Sequence, residues 1–121
     1  MLSSLIAFVS AVDLERSRAF YEGTLGLTVD EVNDFACVLR SGDTMLRVTK
    51  VDSLTPQPFT VLGWQVDDIR ANVAALRERG VEFLRFELME QDELGIWTAP
   101  SGGRIVWFHD PDGNTLSLTQ F

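Results

Sequence analysis

WFHDPDGNTLSLTQF, from Trp107 to Phe121, is typical of a β-hairpin. Two alternating runs flank the turn residues from Asp110 to Asn114. Proline presets its own φ angle, aspartate side chains bond to nearby amides, and glycine accepts a positive φ angle, so each residue suits a tight turn. The chain therefore ends in two antiparallel strands.

The alternation also predicts which residues share a face of this hairpin. If His109 pairs with Thr115, then Trp107 pairs with Ser117 and Ile105 with Thr119, because opposite residues point to the same side of a sheet. The other side carries only apolar residues, namely Val106, Phe108, Leu116 and Leu118. That side suits packing against a helix, and the mixed side is left for a ligand.

Composition restricts both the class of protein and its partners. A chain of 121 residues with 45% hydrophobic residues fits one folded domain, residues 1–121. The formal net charge of −8 argues against nucleic acid and against an anionic membrane, since both attract basic surfaces. Cys37 is the single cysteine, so no intramolecular disulfide is expected. No signal peptide or membrane span is evident near Met1, which favours a cytoplasmic protein.

The first half of the chain reads as βαβββ, residues 1–51. A buried strand, LIAFVSAV, precedes Asp13, which is expected to cap a helix that ends at Gly26. Three antiparallel strands follow, and residues 41–43 are expected to form the turn between the last two. The two prolines of residues 52–58 mark a linker.

The second half, residues 59–121, repeats this pattern. Val12, Asp13, Arg16 and Gly26 recur 54 positions later as Val66, Asp67, Arg70 and Gly80. Asp67 is therefore the expected cap of a second helix, and an insertion falls within residues 83–104. Such repeats favour an α+β fold of two βαβββ modules, with a curved sheet that encloses a cleft and helices outside.

Three segments resemble the vicinal oxygen chelate superfamily, which includes glyoxalase I, extradiol dioxygenases and bleomycin resistance proteins. They are VDLERSRAFYEGTLGL, VDDIRANVAALRERGV and FHDPDGNTLSL. In that family, a metal ion, where present, is held by one position on the first strand and one on the last strand of each module. Carried over by motif spacing, these positions are Ile6, Arg47, Val61 and Ser117. Two aliphatic side chains, a cation and a hydroxyl are a poor ligand set for a divalent ion, so neither a metal nor another cofactor is expected.

Alternation from these positions predicts a cleft with aromatic walls, several hydroxyls and one guanidinium. Such a cleft suits an amphipathic small molecule with an anionic group. Trp97 is added because it lies in the insertion, which could fold over the cleft or pack on a partner subunit. The candidate ligand-binding residues are Phe8, Phe35, Cys37, Arg47, Thr49, Gln65, Trp97, Trp107, Ser117 and Thr119.

Several functions remain open at this point. The leading hypothesis is a homodimeric protein that binds a small organic ligand without a metal. The alternatives are an enzyme of the same superfamily that uses Arg47 without a metal, a metal enzyme with ligands elsewhere, and a structural dimer with a filled cleft. No catalytic residue is assigned. The lone His109 borders the turn, and the acidic residues of segment 87–93 suit either a solvated face or attraction of a cationic ligand.

Overall fold

The computed structural model describes every residue from Met1 to Phe121. The chain forms two compact units. Unit 1 comprises Met1–Pro56 and Asp110–Gly113, and unit 2 comprises Gln57–His109 and Asn114–Phe121. Each unit contains one four-stranded mixed sheet, which confirms the expected α+β fold class. No helix of the chain has the length and apolar character needed to span a bilayer.

The elements follow the duplicated βαβββ order. They are β1 (Ile6–Ala11), α1 (Leu14–Arg18), a π-helical segment (Ala19–Thr24), β2 (Thr28–Val32), β3 (Ala36–Ser41), β4 (Thr44–Lys50), β5 (Thr60–Gln65), α2 (Ile69–Glu78), β6 (Trp97–Thr98), β7 (Arg104–His109) and β8 (Thr115–Gln120).

The strand order in unit 1 is β1-β4-β3-β2, and in unit 2 it is β5-β8-β7-β6. In each sheet the first strand of the module runs parallel to the last, and the other pairs are antiparallel. Leu46, Val48 and Leu39 are buried on one side of the unit 1 sheet, and α1 packs against β3 and β4. In unit 2, α2 packs against β8, where Leu116 and Leu118 are buried.

The helix caps agree with the sequence in unit 1 but not in unit 2. Asp13 caps α1 as expected, because its carboxylate accepts a 3.2 Å hydrogen bond from Arg16 N. In α2 the cap is Asp68, which accepts a 3.0 Å bond from Ala71 N. The expectation of Asp67 was therefore wrong by one residue. Two aspartates in succession give the same sequence signal, and only the backbone geometry selects between them.

The expected hairpin of β7 and β8 is confirmed. His109 pairs with Thr115, Trp107 with Ser117 and Ile105 with Thr119. Its turn, Asp110–Gly113, makes its contacts within unit 1. Asp112 accepts bonds from Val12 N (3.0 Å), the Ser17 hydroxyl (3.3 Å) and the Arg16 guanidinium (3.4 Å).

The register between β3 and β4 differs from the expected one by a single residue. Ser41 pairs with Thr44, so the turn contains only Gly42 and Asp43, and Gly42 has a positive φ angle of 57°. The sequence had suggested a three-residue turn. Because side chains alternate along a strand, one residue fewer moves every side chain of β3 to the opposite face.

Candidate functional site

Cys37 lies on the wrong side of its sheet for a ligand-binding role beside Arg47. It pairs with Val48, whereas Arg47 pairs with Val38, so Cys37 shares the helix-covered face. Its side chain is free and fully buried, and burial raises the pKa of the thiol. Cys37 and Phe35 were expected on the face of Arg47. This expectation was incorrect, because the two-residue turn shifts the register of β3 by one residue and so reverses the facing of its side chains.

Phe35 precedes β3 and is 75% exposed, while its carbonyl accepts a 2.8 Å hydrogen bond from Lys50 N. It therefore lies at the end of the sheet, where Asn33 holds the neighbouring backbone. The Asn33 side chain accepts bonds from Phe35 N (2.8 Å) and Ala36 N (3.0 Å). Phe35 therefore remains a candidate ligand-binding residue only as an exposed ring at this end of the sheet.

The side of the unit 1 sheet opposite α1 is called face 1. In the parallel pair of β1 and β4, Phe8 lies beside Arg47 and Ser10 beside Thr49, as the alternation predicted. Phe8 is 62% exposed and Ile6 is 45% exposed, so two large apolar side chains of the edge strand β1 are open to contact. Face 1 thus combines exposed apolar side chains with hydroxyls and a guanidinium.

Arg47 is half-buried and belongs to none of the ion pairs in the structure. A guanidinium offers five donors in a fixed fork, which suits carboxylate and phosphate groups. Arg47 is therefore available to bind an anionic group at face 1.

The corresponding side of the unit 2 sheet is called face 2. Gly63 and Trp107 both pair with Ser117, and Gln65 and Ile105 both pair with Thr119. The Ser117 hydroxyl lies over Gly63, where a side chain would come within 2.5 Å of its oxygen. Gln65, Trp107, Ser117 and Thr119 therefore share one face, as predicted from the sequence.

Trp107 is the centre of an aromatic wall on face 2. Its indole N–H donates a 3.1 Å hydrogen bond to the Thr60 hydroxyl. The Phe86 ring meets it edge-on at 5.4 Å between centroids, and the Trp97 ring lies 6.2 Å away. The aromatic wall, defined as Phe86, Trp97 and Trp107, is thus held in one arrangement by a polar anchor and two ring contacts.

Trp97 lies within the expected insertion, in a stretch of regular structure. It belongs to the short edge strand β6 and pairs with Ile105, which places it on face 2. Phe86 comes from the loop that precedes β6, residues 84–96, called the arm. Gln91 organises this arm, because its side chain accepts a bond from Phe86 N (2.8 Å) and donates to Leu84 O (2.9 Å) and Gly95 O (2.8 Å).

Phe86 and Thr60 were missed at the level of sequence. Phe86 lies in a charged, non-periodic segment, so no pattern marked its direction. In a regular strand, Thr60 and Gly63 would point to opposite faces of the sheet. However, β5 contains an irregularity between Thr60 and Leu62, which brings Thr60 opposite Thr115 and so onto face 2. A β-bulge of this kind changes the facing of the residues beyond it and leaves no clear sequence signal.

The four positions carried over from the metal-binding relatives do not fit a metal ion. In unit 1, Ile6 pairs with Met45, which lies two residues before Arg47 and on the same face of the sheet. In unit 2, Val61 is the unpaired residue of the irregularity in β5, and Ser117 is mostly buried. No group of three or more His, Cys, Asp or Glu side chains is placed to hold a metal ion. Ser117 is the only oxygen donor in the set, which is too few for a divalent ion.

Comparison with known protein families identifies the family of the chain. A family model described as the Glyoxalase/Bleomycin resistance protein/Dioxygenase superfamily matches residues 6–118 of the chain. The match therefore includes both modules and both faces. A search of the curated proteins gave no match.

Solved structures show the same architecture. A member of the Glyoxalase/bleomycin resistance protein/dioxygenase superfamily from Sphaerobacter thermophilus is 24% identical, with a TM-score of 0.77 over 100% of this chain and 98% of the other. An antibiotic binding protein from Streptomyces is 25% identical, with a TM-score of 0.71 over 99% and 96%. A lactoylglutathione lyase from Agrobacterium tumefaciens is 18% identical, with a TM-score of 0.72 over 98% and 92%.

Proposed function

The chain belongs to the Glyoxalase/Bleomycin resistance protein/Dioxygenase superfamily, and from this membership we propose that it binds a small organic ligand without a metal ion. The aromatic wall of face 2 is the observation that carries the proposal. An indole fixed by a hydrogen bond, with two further rings beside it, is already arranged for contact with a flat apolar molecule. Such preorganisation lowers the entropy cost of binding.

The hydroxyls beside the aromatic wall indicate polar substituents on the ligand. Ser117 and Thr119 share face 2 with Trp107 and offer hydroxyls that can donate or accept hydrogen bonds. On face 1, Arg47 supports an anionic group, because a half-buried guanidinium without a carboxylate partner gains from a charged acceptor. The ligand proposed for face 2 therefore has an aromatic body with polar substituents, and face 1 by itself favours a carboxylate, phosphate or sulfonate group.

The donor set supports the metal-independent part of the proposal. Ile6 and Val61 have no donor atom, and the charge of Arg47 would repel a divalent cation. The chemistry of the positions thus favours a binding protein over a member that relies on Lewis acid catalysis. The similar Streptomyces structure is an antibiotic binding protein, which makes aromatic antibiotics the first ligands to test.

The proposal includes a homodimer in the cytoplasm. Exposed apolar side chains on face 1, Ile6 and Phe8, and exposed Val61 in unit 2 would be covered by a second copy. A free, buried cysteine suits a reducing compartment. Sedimentation equilibrium tests the dimer, and a monomer at micromolar concentration would contradict it.

The function is tested by tryptophan fluorescence. The protein, treated with a chelator, is titrated with aromatic antibiotics with and without an anionic group. Trp107→Phe is expected to weaken binding roughly five- to tenfold, since a well-placed aromatic contact contributes about 1 kcal/mol. Trp64→Phe is the matched control, because Trp64 pairs with Leu118 and so lies on the other face of the same sheet.

Two results would contradict the proposal. One is the absence of saturable binding across the panel, and the other is equal affinity in Trp107→Phe and the parent protein. Binding that is lost on chelation and restored by a divalent ion would overturn only the metal-independent part.

Arg47 also supports a second candidate, an enzyme that works without a metal. A guanidinium with no ion-pair partner can stabilise negative charge that develops on a bound substrate. Turnover of a panel compound after chelation would favour this candidate over a binding protein. The turnover should then fall in Arg47→Gln and persist in Arg40→Gln, since Arg40 is already paired with Asp30 at 2.8 Å.

A further inference from the structure

A cavity of about 350 Å³ lies in unit 2 where the arm meets β6. Its lining residues are Glu90, Gln91, Asp92, Ile96, Trp97 and Thr98. Only Trp97 among them belongs to the aromatic wall. The cavity therefore extends the proposed ligand surface beyond face 2 and brings acidic side chains to it.

The walls of this cavity are held by side-chain to backbone hydrogen bonds. Asp92 Oδ1 accepts 2.9 Å bonds from both Leu94 N and Ile96 N. Gln91 bonds three backbone groups of the arm, and its backbone forms a bridge with Trp97. The cavity is thus a preformed feature of the arm.

The carboxylates around the cavity differ in their partners. Asp92 Oδ2 is 3.3 Å from the Arg70 guanidinium, and Glu93 is 2.9 Å from the same side chain. Glu90 forms neither an ion pair nor a hydrogen bond through its side chain. The exposed Glu90 carboxylate therefore has no cationic side chain paired with it at the cavity.

An indole ring and a free carboxylate at one cavity suit a particular ligand chemistry. The face of an indole attracts cations through its quadrupole, and tryptophan is the strongest of the aromatic residues in this role. A carboxylate adds a direct charge attraction, and a weakly hydrated organic cation loses little on leaving water. A metal ion is a poor fit, because the side-chain oxygens of Gln91 and Asp92 already accept hydrogen bonds or pair with Arg70, which leaves too few free oxygen donors.

We propose that Glu90 and Trp97 form a subsite for an alkylammonium group. This inference rests on the proposed function, because the subsite adjoins the aromatic wall at Trp97 and would bind a cationic substituent of the same ligand. It gives the ligand a positive group at the arm in addition to an aromatic body.

The test uses tetramethylammonium chloride, with sodium chloride at equal ionic strength as the reference. The three tryptophan indole N–H signals are followed by NMR and assigned from single tryptophan to phenylalanine variants. The Trp97 signal is expected to shift saturably, with a dissociation constant in the millimolar range, and the Trp64 signal is expected to stay constant. Glu90→Gln should weaken this binding about three- to fivefold, since attraction at an exposed site is modest.

Glu87→Gln is the matched control, because Glu87 lies on the same arm and does not line the cavity. Equal weakening by both variants would show only a general effect of charge and would overturn the subsite. A Trp97 shift no larger than that in sodium chloride would also overturn it. If tetramethylammonium binds at Trp97 but no antibiotic binds, the subsite stands and the proposed function fails; the reverse pattern removes only the subsite.

Discussion

The hydroxyl of Tyr21 donates a 2.7 Å hydrogen bond to Asp110 Oδ2, although 89 positions of chain separate the two residues. Tyr21 lies in the π-helical segment of unit 1 and is fully buried, and Asp110 begins the turn between β7 and β8. Burial, reinforced by the Asp110 carboxylate, raises the pKa of Tyr21 far above its ordinary value.

This raised pKa predicts a loss of stability at alkaline pH. The unfolded chain releases the tyrosine proton near pH 10, whereas the folded chain retains it. Above about pH 10 the folded state therefore binds more protons, and the free energy of unfolding falls as pH rises. Tyr21 is the only tyrosine, so tyrosinate absorbance reports this one group. The absorbance is expected to appear together with unfolding, and a tyrosinate signal from folded protein near pH 10 would contradict the prediction.

Tyr21→Phe isolates the hydrogen bond from the packing of the ring. The Asp110 carboxylate loses its hydroxyl donor in this variant, which is expected to cost about 2 kcal/mol near neutral pH, as for bonds to charged groups. The alkaline loss of stability due to this residue should also vanish. Urea unfolding at neutral and alkaline pH measures both effects, and an unchanged midpoint at neutral pH would show that the bond contributes nothing.

The capping of α2 predicts unequal effects at two adjacent aspartates. Asp68→Ala removes the acceptor for Ala71 N and is expected to lower the free energy of unfolding by about 1 kcal/mol. Asp67→Ala removes an identical charge at a position that does not cap the helix, so it should change stability by less than about 0.5 kcal/mol. Chemical denaturation of both variants tests the pair, and the reverse ranking would restore Asp67 as the cap.

The two-residue turn between β3 and β4 predicts a backbone effect at Gly42. A side chain at this position would meet no atom within 4 Å, so only the positive φ angle of 57° opposes it. Gly42→Ala is expected to cost about 1 kcal/mol. Gly23→Ala is the control, since Gly23 also has open space around it but no positive φ angle, and it should be neutral or slightly stabilising. If the two variants lowered the thermal unfolding temperature equally, the assigned turn would be contradicted.

The buried position of Cys37 predicts an unreactive thiol. Burial raises its pKa, so the group stays protonated at neutral pH, and no reagent can reach it in the folded state. The rate of modification by a thiol reagent should follow the unfolding rate and rise sharply in urea. Rapid stoichiometric labelling of folded protein would instead place Cys37 on the face of Arg47, where the sequence had suggested a ligand-binding role.

The β7–β8 hairpin was predictable because its turn residues and its alternation agree on one register. The β3–β4 hairpin was not, because the residues Ser41, Gly42 and Asp43 suit turns of two or three residues equally well. That single choice decided whether Cys37 or Val38 lies beside Arg47, so a small uncertainty in turn length became an error in the candidate site. Arg47, Trp107 and Ser117 were placed correctly since they lie on strands whose faces are fixed by apolar neighbours.

The residues of the arm show another limit. Trp97 and Phe86 meet Trp107 because Gln91 closes the arm through three backbone groups, and such bonds have no periodic sequence pattern. The sequence also predicted a helix between Asp13 and Gly26, but the spacing of its apolar residues did not show that Ala19–Thr24 would be π-helical.

The assignment of Asp110–Gly113 to unit 1 has a consequence for biosynthesis. During translation the ribosome delivers residues 1–56 first, yet the carboxylates that bind Tyr21 and Ser17 follow 89 and 95 positions later in the chain. Amino-terminal domains ordinarily fold while the rest is still being made. Here unit 1 lacks these two hydrogen bonds until Asp110 and Asp112 have left the exit tunnel, so it reaches its full set of contacts only after residues 57–109 of unit 2 have been made.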